Sequence, residues 1–125
     1  MANPNIVNVA AIYGNNASVA LSTTSATSIV SNAASSGKIF KINAIIVANV
    51  DGATAADITI NKYSAAALGG TAFPIASTIS VPADATLIVL DKTTSIYLKE
   101  NESIGATAAV ANDLVVTCSW EELNS

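Results

Sequence analysis

The sequence predicts an all-β protein: an antiparallel β-sandwich of jelly-roll or immunoglobulin-like type, with about eight or nine short strands. Three observations point there. Apolar residues recur at period two in short stretches along the chain. Clusters of Gly, Pro, Asn and Asp punctuate those stretches, and no stretch carries a persuasive amphipathic helical pattern. A length of 125 residues suits one domain with a single sheet-on-sheet core. Residues 17–125 are expected to form that domain, and residues 1–16 to be either an N-terminal arm or its first strand.

Residues 1–37 carry no charge and are rich in Asn, Ser, Thr and Ala. Two β-prone pieces, residues 6–13 and 17–22, flank the turn signal Gly14-Asn15-Asn16, and a third, residues 27–31, precedes a loop over residues 32–37. Val19, Leu21, Ile29 and Val30 are too apolar to leave in water, which places everything from Ala17 onward in the sandwich.

Residues 38–63, KIFKINAIIVANVDGATAADITINKY, read as two alternating strands around an Asp51-Gly52 turn, a β-hairpin with one buried face. Phe40, Ile42, Ala44, Ile46, Ala48 and Val50 share the inner face, while Lys41, Asn43 and Asn49 fall on the other. Ile58 and Ile60 oppose Asp57, Thr59 and Asn61 in the second strand. The outward face of the first strand is not cleanly polar, because Ile39, Ile45 and Val47 interleave with its polar residues. Something is expected to cover it, either the N-terminal segment or another subunit. Ile39, Ile45 and Val47 are therefore the candidate protein-contact residues.

Beyond the hairpin, residues 64–74 read as a loop whose Pro74 bars further strand pairing. Strands follow at residues 75–81 and 86–90 around a Pro82-Ala83-Asp84-Ala85 turn. A break at Asp91-Lys92 precedes residues 94–98, and a polar turn over 99–102 leads into residues 103–110. The last strand follows Asn112-Asp113. Its Leu114, Val116, Cys118 and Trp120 share a core face opposite Val115, Thr117, Ser119 and Glu121, and that face is the expected partner of the hairpin's inner face.

Composition bears on partners. The charged fraction is 11% and the aromatic fraction 5%, beneath an apolar fraction of 51%, where about 25% charge is usual. A surface of small neutral side chains can be buried against other protein at little desolvation cost, so a homo-oligomer or a subunit of a larger assembly is expected. The net charge is −4, there is no Arg, and the five Lys residues are scattered, which excludes the basic stripe needed to neutralise phosphates. No apolar run approaches the length of a membrane span. The first residues lack the basic start of a secretory signal, so the chain is expected to remain in, or assemble from, the cytosol.

Catalytic chemistry is not legible. No His is present, which removes the commonest general base and transition-metal ligand. Nearly all the carboxylates fall at strand ends or in turns, and neither residues 51–57 nor 99–103 match a calcium-loop spacing. Gly69-Gly70 lacks the Lys of a phosphate loop. Asn16-Ala17-Ser18 and Asn101-Glu102-Ser103 match the glycosylation pattern, and both read better as surface turns. Cys118 alone can form no intrachain disulfide and reads as a small core hydrophobe. The expectation is a non-enzymatic chain with no catalytic, cofactor-binding or metal-ligating residues and no cofactor.

Several motifs in order carry a resemblance: GKIFKIN at residues 37–43, NVDG at 49–52, VPA at 81–83, LIVL at 87–90, YLKE at 97–100 and SWEE at 119–122. From about residue 28 onward, the chain resembles a group of small virion proteins of tailed bacteriophages, especially myoviruses of marine cyanobacteria. The resemblance implies a β-sandwich subunit present in many copies, located in the virion and assembled in the host cytoplasm. Within it, the leading expectation is a capsid decoration (cement) protein that bridges and stabilises major-capsid subunits, with no direct contact to nucleic acid or membrane. The alternatives are a neck, tail or fibre-associated component, or a module that binds host glycan through Tyr13, Tyr63, Tyr97 or Trp120.

Overall fold

The computed structural model describes residues 5–124. Among them are nine strands and one short 3-10 turn: β1 Ala11–Ala20, β2 Thr27–Asn32, β3 Lys38–Asn49, β4 Ala56–Ala65, β5 Gly69–Val81, β6 Thr86–Leu90, the turn Lys92–Thr94, β7 Ile96–Leu98, β8 Glu102–Ala108 and β9 Leu114–Asn124. One sheet has the order β1-β9-β3-β6, with β7 also paired to β3, and the other has the order β2-β8-β4-β5. We call them the first and second sheets.

Every pairing is antiparallel, and the pairings nest: β1 with β9, β2 with β8, β3 with β6 and β7, and β4 with β5. The chain is thus one long hairpin, its tip at β4–β5, wound so that successive arms alternate between two sheets. This is the jelly-roll arrangement. An immunoglobulin-type sandwich starts by pairing sequence neighbours within one sheet, whereas β1 and β2 here lie in opposite sheets.

That winding corrects the expected hairpin over residues 38–63. β3 and β4 belong to different sheets, and the segment around Asp51-Gly52 arches from one to the other. Buried Asn49 fixes the arch: its amide donates to the carbonyls of Thr54 and Val81 at 3.0 and 2.9 Å, and its Oδ1 accepts from the Asp51 N–H at 2.9 Å. A Gly-containing reversal in sequence signals a change of direction. It carries no information on which sheet receives the next strand.

The inner face of β3 also differs from a strict period of two. The register against β9 shifts between Ile42 and Ala44, a β-bulge at Asn43. One extra residue moves every later side chain to the other face. Phe40 and Ile42 point inward before the bulge, and Ile45, Val47 and Asn49 do so after it. Ile45 and Val47 are 0% exposed and belong to the core; Ile39 is buried at 8% beside Leu123, its partner on β9. Of the three candidate contact residues, Ile45 and Val47 therefore face the core, while Ile39, out of phase with Phe40 and Ile42, stays on the outer side but is largely covered there. Ala44, Ile46 and Ala48 take the outward positions instead, and Val50 lies beyond the strand, exposed.

Two further boundaries move. Gly14-Asn15-Asn16 makes no turn: β1 runs through it in unbroken register with β9, from Ala11 opposite Asn124 to Ala20 opposite Val115. The strand thus straddles the expected boundary at residue 16, and residues 1–4 of the arm-or-strand segment lie outside the described residues. Pro74 lies within β5, opposite Asn61. Because β5 is an edge strand, the missing N–H can face solvent without cost to the sheet.

The core lies between the sheets. Ile42, Ile45, Val47, Leu114, Val116 and Cys118 of the first sheet meet Ile58, Ile60, Ile104 and Ala106 of the second in one cluster. Phe40 and Trp120 stack at its end, ring centroids 6.0 Å apart with 28° between planes. The face of β9 read from sequence holds throughout, since Leu114, Val116, Cys118 and Trp120 are all buried.

Candidate interaction surface

With Ile45 and Val47 inside, the outer face of the first sheet is built from the alternate residues of four strands. Across one row Ser18, Thr117, Ile46 and Ile88 lie side by side, and across the next Ala20, Val115, Ala48 and Thr86 do. Asn16, Ser119 and Ala44 continue the surface toward the opposite end. Ser18 and Thr117 hydroxyls bond each other at 3.1 Å. Ile88 is the most exposed large apolar side chain of the patch, at 63%.

No charged side chain interrupts these rows; Glu121 beside Lys41 is the first to appear toward the far end. A sheet face of Ala, Val, Ile, Ser and Thr loses little hydration when covered, which suits it to protein contact. The sequence places an apolar outward face on β3 but points to Ile45 and Val47 where Ala44 and Ile46 stand; Ile39 keeps its outward phase. Ile88 is not legible there, because the short β6 alternation shows no side until the pairing Ile46–Ile88 is known.

The charged groups serve the fold. Glu102 accepts from the Lys99 N–H at 2.9 Å and from Lys62 Nζ at 2.8 Å, closing the turn between β7 and β8. Glu100 accepts from the Gly37 N–H at 3.1 Å. Asp51 accepts from the Thr54 hydroxyl and the Ala53 N–H, and these bonds hold its carboxyl below the usual carboxylate range. Asp91 caps the 3-10 turn; the hydroxyl and N–H of Thr93 lower its carboxyl in the same way. Among the described residues no three His, Cys, Asp or Glu side chains converge as a metal site, and no pocket opens.

Glu122 joins β1, β3 and β9. Burial works against its charged form, but hydrogen bonds from Asn15 Nδ2, Trp120 Nε1 and Lys38 Nζ, at 2.8, 3.2 and 3.4 Å, outweigh that and leave the carboxyl below its ordinary value. Burial pushes the Cys118 thiol up to about 12, so it is a protonated core side chain and no nucleophile. Of the aromatic side chains considered for stacking on sugars, Tyr63 and Trp120 are buried. Tyr13 and Tyr97 are exposed but project to opposite faces of the first sheet: Tyr13 is in phase with core-packed Ala17 and Val19, Tyr97 out of phase with core-packed Ile96 and Leu98.

No family model and no curated protein matches this chain. Among solved structures it is similar to a chain from work described as "Bacillus endospore appendages form a novel family of disulfide-linked pili". The two are 19% identical with a TM-score of 0.51, over 90% of this chain and 88% of that one. At that identity the likeness is one of fold, and it extends across nearly the whole sandwich.

Proposed function

We propose that this chain is a non-enzymatic structural subunit of a repetitive protein assembly, and that the assembly is a tailed-phage particle in which it serves as a capsid decoration (cement) protein. The uncharged rows of the first sheet's outer face, centred on Ile46 and Ile88, carry the subunit reading. The resemblance of residues 37–122 to small phage virion proteins supplies the particle. In this role the face lies against major-capsid subunits, and each copy adds a small buried area that symmetry multiplies over the shell. Localisation is then the virion, after assembly in the host cytoplasm.

Replacing Ile46 and Ile88 together by Glu tests the reading. The isolated chain should keep its fold, because both side chains point away from the core, while its copy number on purified heads, counted by mass spectrometry, should fall at least about tenfold. Heads lacking the protein should release DNA at lower temperature. Unchanged incorporation of the double variant would falsify the assignment of this face.

A second reading, a filament or appendage subunit, draws on the solved pilus-forming chain with the same fold. The disulfide linkage described for that protein has no counterpart through Cys118, which is buried in the core. Electron micrographs of assembled material separate the readings, since a head decoration follows icosahedral positions and an appendage subunit forms fibres.

A further inference from the structure

Among the described residues four strand edges bound the two sheets, and three of them are blunted. The edge formed by β6 and β7 is interrupted by the 3-10 turn Lys92–Thr94, with Lys92 at the break. β2 slips register against β8 between Ser28 and Val30. β5 carries Pro74, three register shifts against β4, and Thr78 at φ +53°. Charges, Pro and bulges are devices that keep an edge from pairing with another strand. β1 has none of them: its ten residues are uncharged, contain no Pro and keep unbroken register with β9.

The phase of the β1 ladder identifies which backbone groups are free. Just past the strand, the Leu21 N–H donates to the Leu114 carbonyl at 2.9 Å in the same register. In an antiparallel ladder alternate residues turn both backbone groups to the same neighbour, so odd-numbered residues of β1 face β9. Ile12, Gly14, Asn16, Ser18 and Ala20 then present their N–H and C=O outward. The Asn16 N–H donates to the neighbouring Asn15 Oδ1 at 2.8 Å, in keeping with this phase.

We propose that β1 is a self-association edge, through which two copies of this chain pair antiparallel about a twofold axis and join their first sheets. The occupant follows from the other edges: a second copy offers one unblunted edge, its own β1. Identical strands related by a twofold must match residues that all turn their backbone the same way, and the five free residues satisfy this when the axis passes Asn16. Gly14 then lies opposite the partner's Ser18, and Ile12 opposite the partner's Ala20. No charge opposes the contact, and the small side chains at Gly14, Ser18 and Ala20 let the strands approach. The proposal rests on edge geometry and is independent of the virion assignment.

The test uses the full chain with two substitutions at the proposed axis. Asn16→Pro removes an N–H that the internal ladder does not use; Asn16→Lys sets two like charges opposite each other. Circular dichroism and thermal melting establish that each variant is folded. Sedimentation velocity up to about 0.1 mM should show a wild-type dimer and variants whose dissociation constant rises at least about tenfold. Amide exchange in the wild type should be slow at Ile12, Gly14, Asn16, Ser18 and Ala20, and fast in the variants. A wild-type chain that stays monomeric over that range, fast exchange at those five amides, or an assembly that survives both substitutions overturns the proposal.

Discussion

β1 and β5 are both long edge strands, of 10 and 13 residues, on opposite sheets. β1 follows β9 residue for residue, whereas β5 repeatedly slips against β4 and the β4–β5 turn that leads into it is stitched down by side chains. Ser103 Oγ accepts from the Leu68 N–H at 2.9 Å and donates to the Ala65 carbonyl at 2.8 Å. Ser31 Oγ accepts from the Ala67 N–H at 3.0 Å, and Asn101 Oδ1 from the Ala66 N–H at 3.2 Å. The tip of the long hairpin thus curls onto β8 and β2, with Ala67 and Leu68 at φ +56° and +61°. An irregular edge needs such side-chain anchors because its own ladder is incomplete. A regular one is held by its own ladder, with side-chain bonds such as Asn15 to Glu122 added to it, and keeps its outer backbone groups available.

The largest expected effect comes from wedging the anchored tip. A Cβ at Gly105 would sit 2.6 Å from Leu68 Cδ2, 3.1 Å from Tyr63 Cε2 and 3.2 Å from the Thr27 carbonyl. The first can swing aside, but Thr27 is backbone. Gly105→Val should cost about 3 kcal/mol, as overpacking a closed site does. Chemical denaturation measures the loss, and amide exchange should accelerate at residues 65–72 before it does at β1.

Next in size is Ser103→Ala, which leaves the part-buried Leu68 N–H and Ala65 carbonyl without their partner at once. A loss of about 1–2 kcal/mol is expected, again with exchange rising at the β5 tip and unchanged along β1. Equal acceleration in both strands would erase the distinction between an anchored edge and a ladder-held one.

Replacing the blunting residue tests the contrast from the other side. Pro74→Thr restores an N–H on β5 and should alter stability by less than about 0.5 kcal/mol. Its effect should appear as new concentration-dependent association in sedimentation, which the bulges at Thr78 and elsewhere will limit.

The division of the chain into strands and turns was legible in sequence, most closely at β6, β2 and β9, where alternation and flanking turn residues agree. The jelly-roll winding was not, because Asp51-Gly52 signals a reversal without saying that β4 changes sheet. Nor was the surface on β3. Its bulge at Asn43 leaves no mark in a run of Ile, Ala and Val whose members suit either face, so Ile45 and Val47 exchanged places with Ala44 and Ile46. The Gly-Asn-Asn stretch of β1 looked like a turn for a related reason: residues poor in strand preference are tolerated on an edge, where one side of the backbone meets water.

Those same residues make the β1 ladder sensitive to acid. Asn15 donates to Glu122, which Trp120 and Lys38 also bind, and the folded-state pKa of that carboxyl is held below its ordinary value of 4.5. A lowered pKa means the stabilisation is fully present above pH 4.5 and disappears as pH falls through the folded value. Asp51 and Asp91 are lowered from 3.8, so their contributions are lost at more acid pH, below that value. Glu122→Gln isolates the β1 contribution, since it keeps a hydrogen-bond acceptor but cannot titrate. The variant should melt lower than the wild type at pH 7 and approach it as pH falls below 4.5 through the folded value, with the difference seen first in exchange at residues 13–17. Trp120, the single tryptophan, bonds the same carboxyl and supplies a fluorescence readout. β5 lies on the other sheet, and its exchange should not distinguish variant from wild type at any pH where both are folded. If it does, acid is loosening the sandwich as a unit, and the two edges are not independently held.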